Sequence, residues 1–269
     1  MSWEDEIEQV NAKRNWGVIL SGESGLSHDE HRARLIGASD VEALLGVSPY
    51  RGPLDVYLDF YGLRPPRRTT DRMRRGLILE PYVATLYAEQ TGRVLYKPSS
   101  HSQPHADLPV LTVHADRIVR DPPVNVQIKV VGWTMEHHWL EGAPANVVAQ
   151  VHAEMMAWGL PVTDVAADIN EHFQIHTVER DSEVETIILE QVESFWREYI
   201  LPMRMPDGEP GSRPARDALL ARYPRVIGKI EKATPDVEAL AERLRITNAA
   251  VHAATIEQAK VREQFMALI

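Results

Sequence analysis

The 269-residue chain contains no cysteine. Disulfides, zinc–thiolate centres and iron–sulfur clusters are thereby excluded, and the absence fits a reducing compartment. There is no uninterrupted run of about 18 apolar residues, the length a membrane-spanning helix requires. The first residues, Met1-Ser2-Trp3-Glu4-Asp5-Glu6, are acidic where a secretory signal is basic. A cytoplasmic protein with no membrane partner is expected. No internal repeat is visible. The histidines, 11 in all, include His101, His105, His114, His137, His138 and His152 and fall at no zinc-binding spacing. Positive charge is also short: 29 Lys and Arg face 39 Asp and Glu, a net charge of −10. Taken over the whole chain, that balance argues against a polyanionic partner.

Local charge reads differently. Arg64, Arg67, Arg68, Arg72, Arg74 and Arg75 crowd into one short segment whose single acid is Asp71. This is a basic patch inside an acidic chain, either a solvated loop or a contact for an anion. The apolar fraction, 44%, together with the length, suffices for one large core with appendages.

Residues 1–28 are polar with Gly and Ser and read as a leader or a loose first helix. Asp29 to Leu45 has helical spacing, broken at Gly37-Ala38-Ser39-Asp40, where Ser39 or Asp40 can cap a new helix. Leu54 to Tyr61 and Gly76 to Thr91 are expected helices, with the arginine-rich segment between them as a loop. Strands are expected at Val94–Tyr96, Val110–His114, Asp116–Val119 and Val124–Val131. A helix over Asn146–Trp158 follows, then a hairpin of Val162–Ile169 and His172–Val178 with Asn170-Glu171 at its tip. Ser182 to Ile200 reads as a long helix. Residues 202–234 are a linker with a short helix. Residues 235–269 are a helical segment whose Val237, Leu240, Leu244, Ala250, Val251 and Ile256 recur at mixed three-and-four spacing. The order of helices and strands is that of an α/β core, a mixed sheet between helices. Residues 29–201 would form its main domain.

Within that order lies a set of residues with metal and phosphate chemistry. Asp116 and the run Gln127-Ile128-Lys129 fall on neighbouring strands, and strand alternation puts Gln127 and Lys129 on one face. A carboxylate oxygen suits a hard divalent ion, and a lysine suits the charge that develops on an attacked phosphate. The spacing by itself is weak. Its weight comes from the motifs around it: Arg32-Ala33-Arg34-Leu35-Ile36-Gly37-Ala38-Ser39-Asp40, then Leu44-Leu45-Gly46-Val47-Ser48-Pro49-Tyr50, Gly76-Leu77-Ile78-Leu79-Glu80, and Gln150-Val151-His152-Ala153-Glu154.

In that order the motifs resemble the lambda exonuclease/YqaJ-type viral recombinase family of the PD-(D/E)xK nuclease superfamily, over roughly residues 29 to 200. The resemblance implies a restriction-endonuclease-like core, a mixed central sheet flanked by helices, here with extra C-terminal helices. It implies Glu80 and Asp116 as metal carboxylates, with Gln127 where the family usually has glutamate, and Lys129 as the catalytic lysine. By the same resemblance, Ser39 with Arg32 or Arg34 holds a terminal or scissile phosphate, and Gln150 is the helix glutamine near the site. Arg72, Arg74 and Arg75 are further candidate DNA contacts. The implied activity is Mg²⁺- or Mn²⁺-dependent digestion of duplex DNA from an end, 5′-to-3′. The implied partners are further copies of the chain, in a ring of three, and a single-strand annealing protein.

Two departures from the family pattern stand out. Gln127 is a neutral amide in place of an anion, which lowers the pull on a cation; Glu154, one turn beyond Gln150 on the same helical face, can restore some charge. Arg117 stands where a glycine often follows the acid, and signals a local change in the strand or a DNA contact. Two other readings keep the same residues: a structure-specific or nicking endonuclease, and a catalytically impaired DNA-binding or scaffold protein marked by Gln127.

Overall fold

The computed structural model describes residues 1–20, 35–66, 69–98, 102–207 and 234–266. They fall into two compact units, Met1–Pro224 and Arg225–Ile269. In the first unit the order is α1 (Trp3–Asn11), α2 (Trp16–Leu20), β1 (Ile36–Gly37), α3 (Ala38–Leu44), α4 (Pro53–Tyr61), α5 (Asp71–Thr91), β2 (Gln103–Pro104), β3 (Leu111–Val113), β4 (Arg117–Arg120) and β5 (Pro123–Val131). A 3₁₀ segment (Trp133–Trp139), α6 (Ala145–Trp158), β6 (Val162–Ile169), β7 (His172–Glu179) and α7 (Ser182–Phe195) complete it, α7 ending in a π turn (Trp196–Ile200). The second unit is described as one helix, α8 (Pro235–Met266). No helix among the described residues is long and apolar enough to cross a membrane.

The main sheet has the strand order β4-β5-β6-β7. It is mixed: β5 pairs parallel with β6 and antiparallel with β4, and β6 pairs antiparallel with β7. Alternation along β5 separates two environments. Val124, Val126 and Ile128 join a core with Val83, Ala84 and Tyr87 of α5. Val131, on the opposite face, joins Val147, Val151 and Met155 of α6. Asn125, Gln127 and Lys129 share that second face, so β5 delivers a row of polar side chains under α6. A smaller sheet, β1-β3-β2, sets β1 parallel to β3.

Several elements depart from the sequence-based expectation. Ile36–Gly37 is a strand where helical spacing ran on, because Val110 O accepts from Ile36 N at 2.8 Å and Thr112 Oγ1 from Leu35 N at 3.2 Å. Helix α3 then starts at Ala38, and Asp40 Oδ2 accepts from Gly37 N at 2.9 Å. Asp40 is therefore the capping side chain, and Ser39 lies exposed in the first turn. Helix α5 begins at Asp71, five residues before Gly76, since Thr70 Oγ1 caps Met73 N. Arg72, Arg74 and Arg75 are thus helical, not in a loop. The first helix is docked, not loose. Glu6 is buried, accepting from Trp196 Nε1 at 3.0 Å and Arg197 Nη1 at 2.5 Å. Val10 lies in the largest core beside Ile36, Leu58, Tyr61 and Trp196.

Candidate nuclease active site

Asp116 precedes β4 by one residue. The register that pairs Arg117 with Val126 brings Asp116 beside Gln127. Asp116 Oδ2 accepts from Gln127 Nε2 at 2.7 Å and from the Ile128 main-chain N–H at 2.9 Å. Burial pushes the Asp116 carboxyl above its usual range, and the charge of Glu80 adds to this; the Ile128 N–H, Lys129 and Arg117 pull the other way.

Lys129 points to α6, where its Nζ donates to Gln150 Oε1 at 2.7 Å. Gln150 Nε2 donates to Glu154 Oε1 at 2.8 Å, one helical turn on. The other oxygen of Glu154 accepts from Asn125 Nδ2 at 2.9 Å, and Asn125 also reaches Thr163 Oγ1 at 3.1 Å. A continuous line of polar groups therefore runs from Lys129 back to β6 through Gln150, Glu154 and Asn125. Glu154 is completely buried, and burial followed by the negative charge of Asp116 pushes its carboxyl up to about 8. Asn125 Oδ1, buried in the same place, has no hydrogen-bond partner. Turned over, the Asn125 amide would accept from a protonated Glu154 and from the Thr163 hydroxyl, and its nitrogen would take the unpartnered place instead.

Glu80 comes from α5. Its Oε1 accepts from Arg117 Nη1 at 2.7 Å, and the same guanidinium nitrogen donates to Asp116 O at 2.6 Å. Lys97 Nζ lies 3.9 Å from that carboxylate. Arg117 therefore carries the counter-charge of Glu80, a contact beyond the two alternatives read from the sequence.

The structure thus gathers Glu80, Asp116, Gln127, Lys129 and Gln150. Ser39 is placed at the exposed start of α3, with no hydrogen bond to these five. Arg72, Arg74 and Arg75 line the exposed start of α5, and Arg72 Nη2 donates to Thr134 Oγ1 at 3.3 Å. Arg32 and Arg34 lie outside the described residues. A cleft of about 380 Å³ opens beside Lys129 and is lined by Pro49, Tyr50, Arg72, Met135, Trp139 and Val147. Sequence reasoning overlooked Asn125. The signal was present, since it shares the strand alternation of Gln127 and Lys129.

The model of the YqaJ-like viral recombinase domain matches residues 28–164. This chain belongs to that family. An uncharacterized YqaJ protein of Bacillus subtilis (strain 168) is 23% identical to it over 213 residues, 76% of this chain and 66% of that protein. The chain thus spans just under two thirds of that relative's length. An alkaline exonuclease (LHK-Exo) from Laribacter hongkongensis superposes with a TM-score of 0.55 at 17% identity, covering 66% of this chain and 94% of that one. LHK-Exo in complex with dAMP gives 0.53 at 18%, covering 65% and 92%. A phage related exonuclease from Haemophilus somnus 129PT gives 0.51 at 13%, covering 63% and 95%. At these identities the likeness establishes the fold: this YqaJ-family chain has the mixed α/β architecture of the PD-(D/E)xK nucleases.

Among the described residues, no three His, Asp or Glu side chains converge as a ready metal cage. The donor set is instead two carboxylates and an amide. Gln127 Oε1 is buried without a hydrogen-bond partner, next to the Asp116 carboxylate that its own amide nitrogen holds. An orphaned oxygen beside an anion is what a hard divalent cation satisfies. The residues therefore fit such an ion, with Asp116 and Gln127 closest and Glu80 as the third oxygen.

Proposed function

We propose that this chain is a metal-dependent deoxyribonuclease that hydrolyses duplex DNA from an end, in phage-type recombination or DNA processing. The observation that carries the reading is the meeting of Asp116, with its paired Gln127, and a tethered Lys129 on one side of β5, with Glu80 entering from α5. Membership of the YqaJ-like family and the exonuclease folds it superposes on support it. Residues 29–201 would be the catalytic domain, acting in the cytoplasm.

Asp116, Gln127 and Glu80 would hold Mg²⁺ or Mn²⁺, which when bound polarises the phosphate and lowers the pKa of water. Asp116 is fixed by the Ile128 N–H and the Gln127 amide, so its free oxygen keeps one direction. Lys129 offers three ammonium hydrogens. Gln150 engages one of them, leaving two for the scissile phosphate oxygen and the attacking water. The fixed positive charge then stabilises the extra negative charge at phosphorus. The cleft beside Lys129 would receive the terminal nucleotide, its sugar and base against Tyr50, Met135 and Val147 and its phosphate toward Arg72 and Lys129. Ser39 and the arginines would hold the end phosphate. Digestion 5′-to-3′, a ring of three copies and an annealing-protein partner complete the proposal by family resemblance.

The test is digestion of linear and closed-circular duplex DNA with Mg²⁺, with Mn²⁺ and with chelator, beside Lys129→Ala. Linear DNA carries or lacks a 5′ phosphate. The expected result is metal-dependent loss of linear DNA alone, with Lys129→Ala slower by about 10²- to 10⁴-fold. Nicking of the circle would replace this reading by an endonuclease of the same fold. Binding of DNA ends without cutting under either metal would replace it by a scaffold role.

A further inference from the structure

Helix α8 runs unbroken from Pro235 to Met266 and is the single described element of its unit, so no other described element of that unit covers its apolar side chains. Six of these, Val237, Leu240, Leu244, Val251, Val261 and Phe265, fall on one line of alternating three- and four-residue steps. The three remaining places on the line hold Thr247, Ala254 and Gln258. The period is 3.5 residues and is kept over about four heptads, the repeat that winds helices around one another in a left-handed supercoil. A helix lying on a globular body shows a wider apolar stripe. Here the flanking positions are Ala241, Asn248, Thr255 and Arg262 on one side and Arg243, Ala250, Glu257 and Gln264 on the other. None is a large apolar residue, so the line is a narrow seam.

From this we infer that α8 forms a parallel, in-register coiled coil with a second copy of this chain. The polar residues in the seam select that partner. In parallel register Gln258 meets its own counterpart, and two amides can hydrogen-bond across the axis; Thr247 meets its counterpart likewise. An unrelated apolar groove buries the Gln258 amide against apolar side chains, at the cost of its hydrogen bonds; an antiparallel copy pairs Gln258 with Thr247 but sets Glu257 beside Ala250 and away from Arg262. Charge agrees. In parallel register Glu257 of one helix flanks Arg262 of the other, an attractive pair made twice by symmetry. Ile246 and Ile256 lie off the seam and serve as controls.

The absence of cysteine makes the test direct. Val251→Cys places one thiol at the seam, and Ala253→Cys places one on the outer face of the same turn. Oxidation of the full-length Val251→Cys chain is expected to give a disulfide-linked pair of 30.4 kDa chains, while Ala253→Cys stays single. Sedimentation of Leu244→Glu/Val251→Glu is expected to show loss of a mass step that Ile246→Glu/Ile256→Glu retains. Absent cross-linking at Val251→Cys, or equal cross-linking at both sites, overturns the inference. A monomeric wild type whose melting temperature falls in the seam variant also overturns it, because the helix then packs on its own chain. Should the main domain associate as well, the cysteine pair decides, since it reads the seam alone.

Discussion

Arg117 lies 2.7 Å from Glu80 and 2.6 Å from its neighbour's carbonyl, Asp116 O, so the helix carboxylate arrives at the site already paired. Arg117 engages Oε1 of Glu80, so a cation bound at this carboxylate would compete with the guanidinium for its charge. Arg117→Gln removes the competitor and keeps a donor for Asp116 O. A partly exposed pair of this kind is worth up to about 1 kcal/mol. The metal concentration for half-maximal activity is accordingly expected to fall about fivefold, read from a Mg²⁺ titration of the digestion rate. A rise instead would mean that Arg117 helps to build the metal site.

Gln127→Glu tests the missing anion. Without metal, the variant sets two carboxylates side by side and loses the amide donor to Asp116. The metal-free protein is expected to lose about 1–3 kcal/mol, as for other unsatisfied buried polar groups. With metal, the added charge strengthens binding, and a ligand that binds the folded state stabilises it. The rise in melting temperature on adding Mg²⁺ should thus be larger in Gln127→Glu than in the natural sequence. Equal rises would place the ion away from residue 127.

Much of the architecture is local and therefore legible. Gly92 and Gly159 end α5 and α6 with positive φ, as a left-handed cap requires. Asn170 and Glu171 take φ of 50° and 71° at the tip of the β6–β7 hairpin, the geometry of a tight two-residue turn. Alternation along β5 sets Gln127 and Lys129 on one face from the sequence alone. What stayed hidden is long-range. Ile36–Gly37 becomes a strand because of Val110 and Thr112, far along the chain. The pairing of Arg117 with Glu80 joins a strand to a helix through a contact no pattern encodes. Asn125 needed the burial of Glu154 to show its purpose.

The docking of α1 is such a long-range feature, and it is measurable. Glu6 is buried and satisfies the indole N–H of Trp196. Glu6→Ala orphans that N–H and leaves Arg197, itself partly exposed, without a buried partner. The expected loss is about 1–3 kcal/mol, read as a lower denaturant midpoint, with the metal requirement unchanged. Glu6→Gln keeps one acceptor and should recover most of the loss. If Glu6→Ala melts like the natural sequence, the first helix contributes nothing to the core.

Glu154 gives the chain a pH signature whose sign follows from its burial. Its carboxyl has an ordinary value of 4.5 and is pushed up to about 8 in the folded protein. Between those values the folded state holds a proton that the unfolded chain has released. Stability of the metal-free protein must then fall as pH rises from about 4.5 to about 8, and level off above. Glu154→Gln removes the proton, and the Asn125 amide can turn to accept from the new side-chain nitrogen. The variant is expected to fold and to lose this slope, read from chemical denaturation across the window. Because Gln150 keeps an acceptor in Glu154→Gln, Lys129 stays tethered and the digestion rate is retained. Glu154→Ala lets Gln150 swing free. The rate should drop roughly tenfold, the effect of one misplaced polar contact of about 1.4 kcal/mol, while the KM for DNA holds. A natural-sequence protein with flat stability over that window would show that Glu154 is ionised throughout.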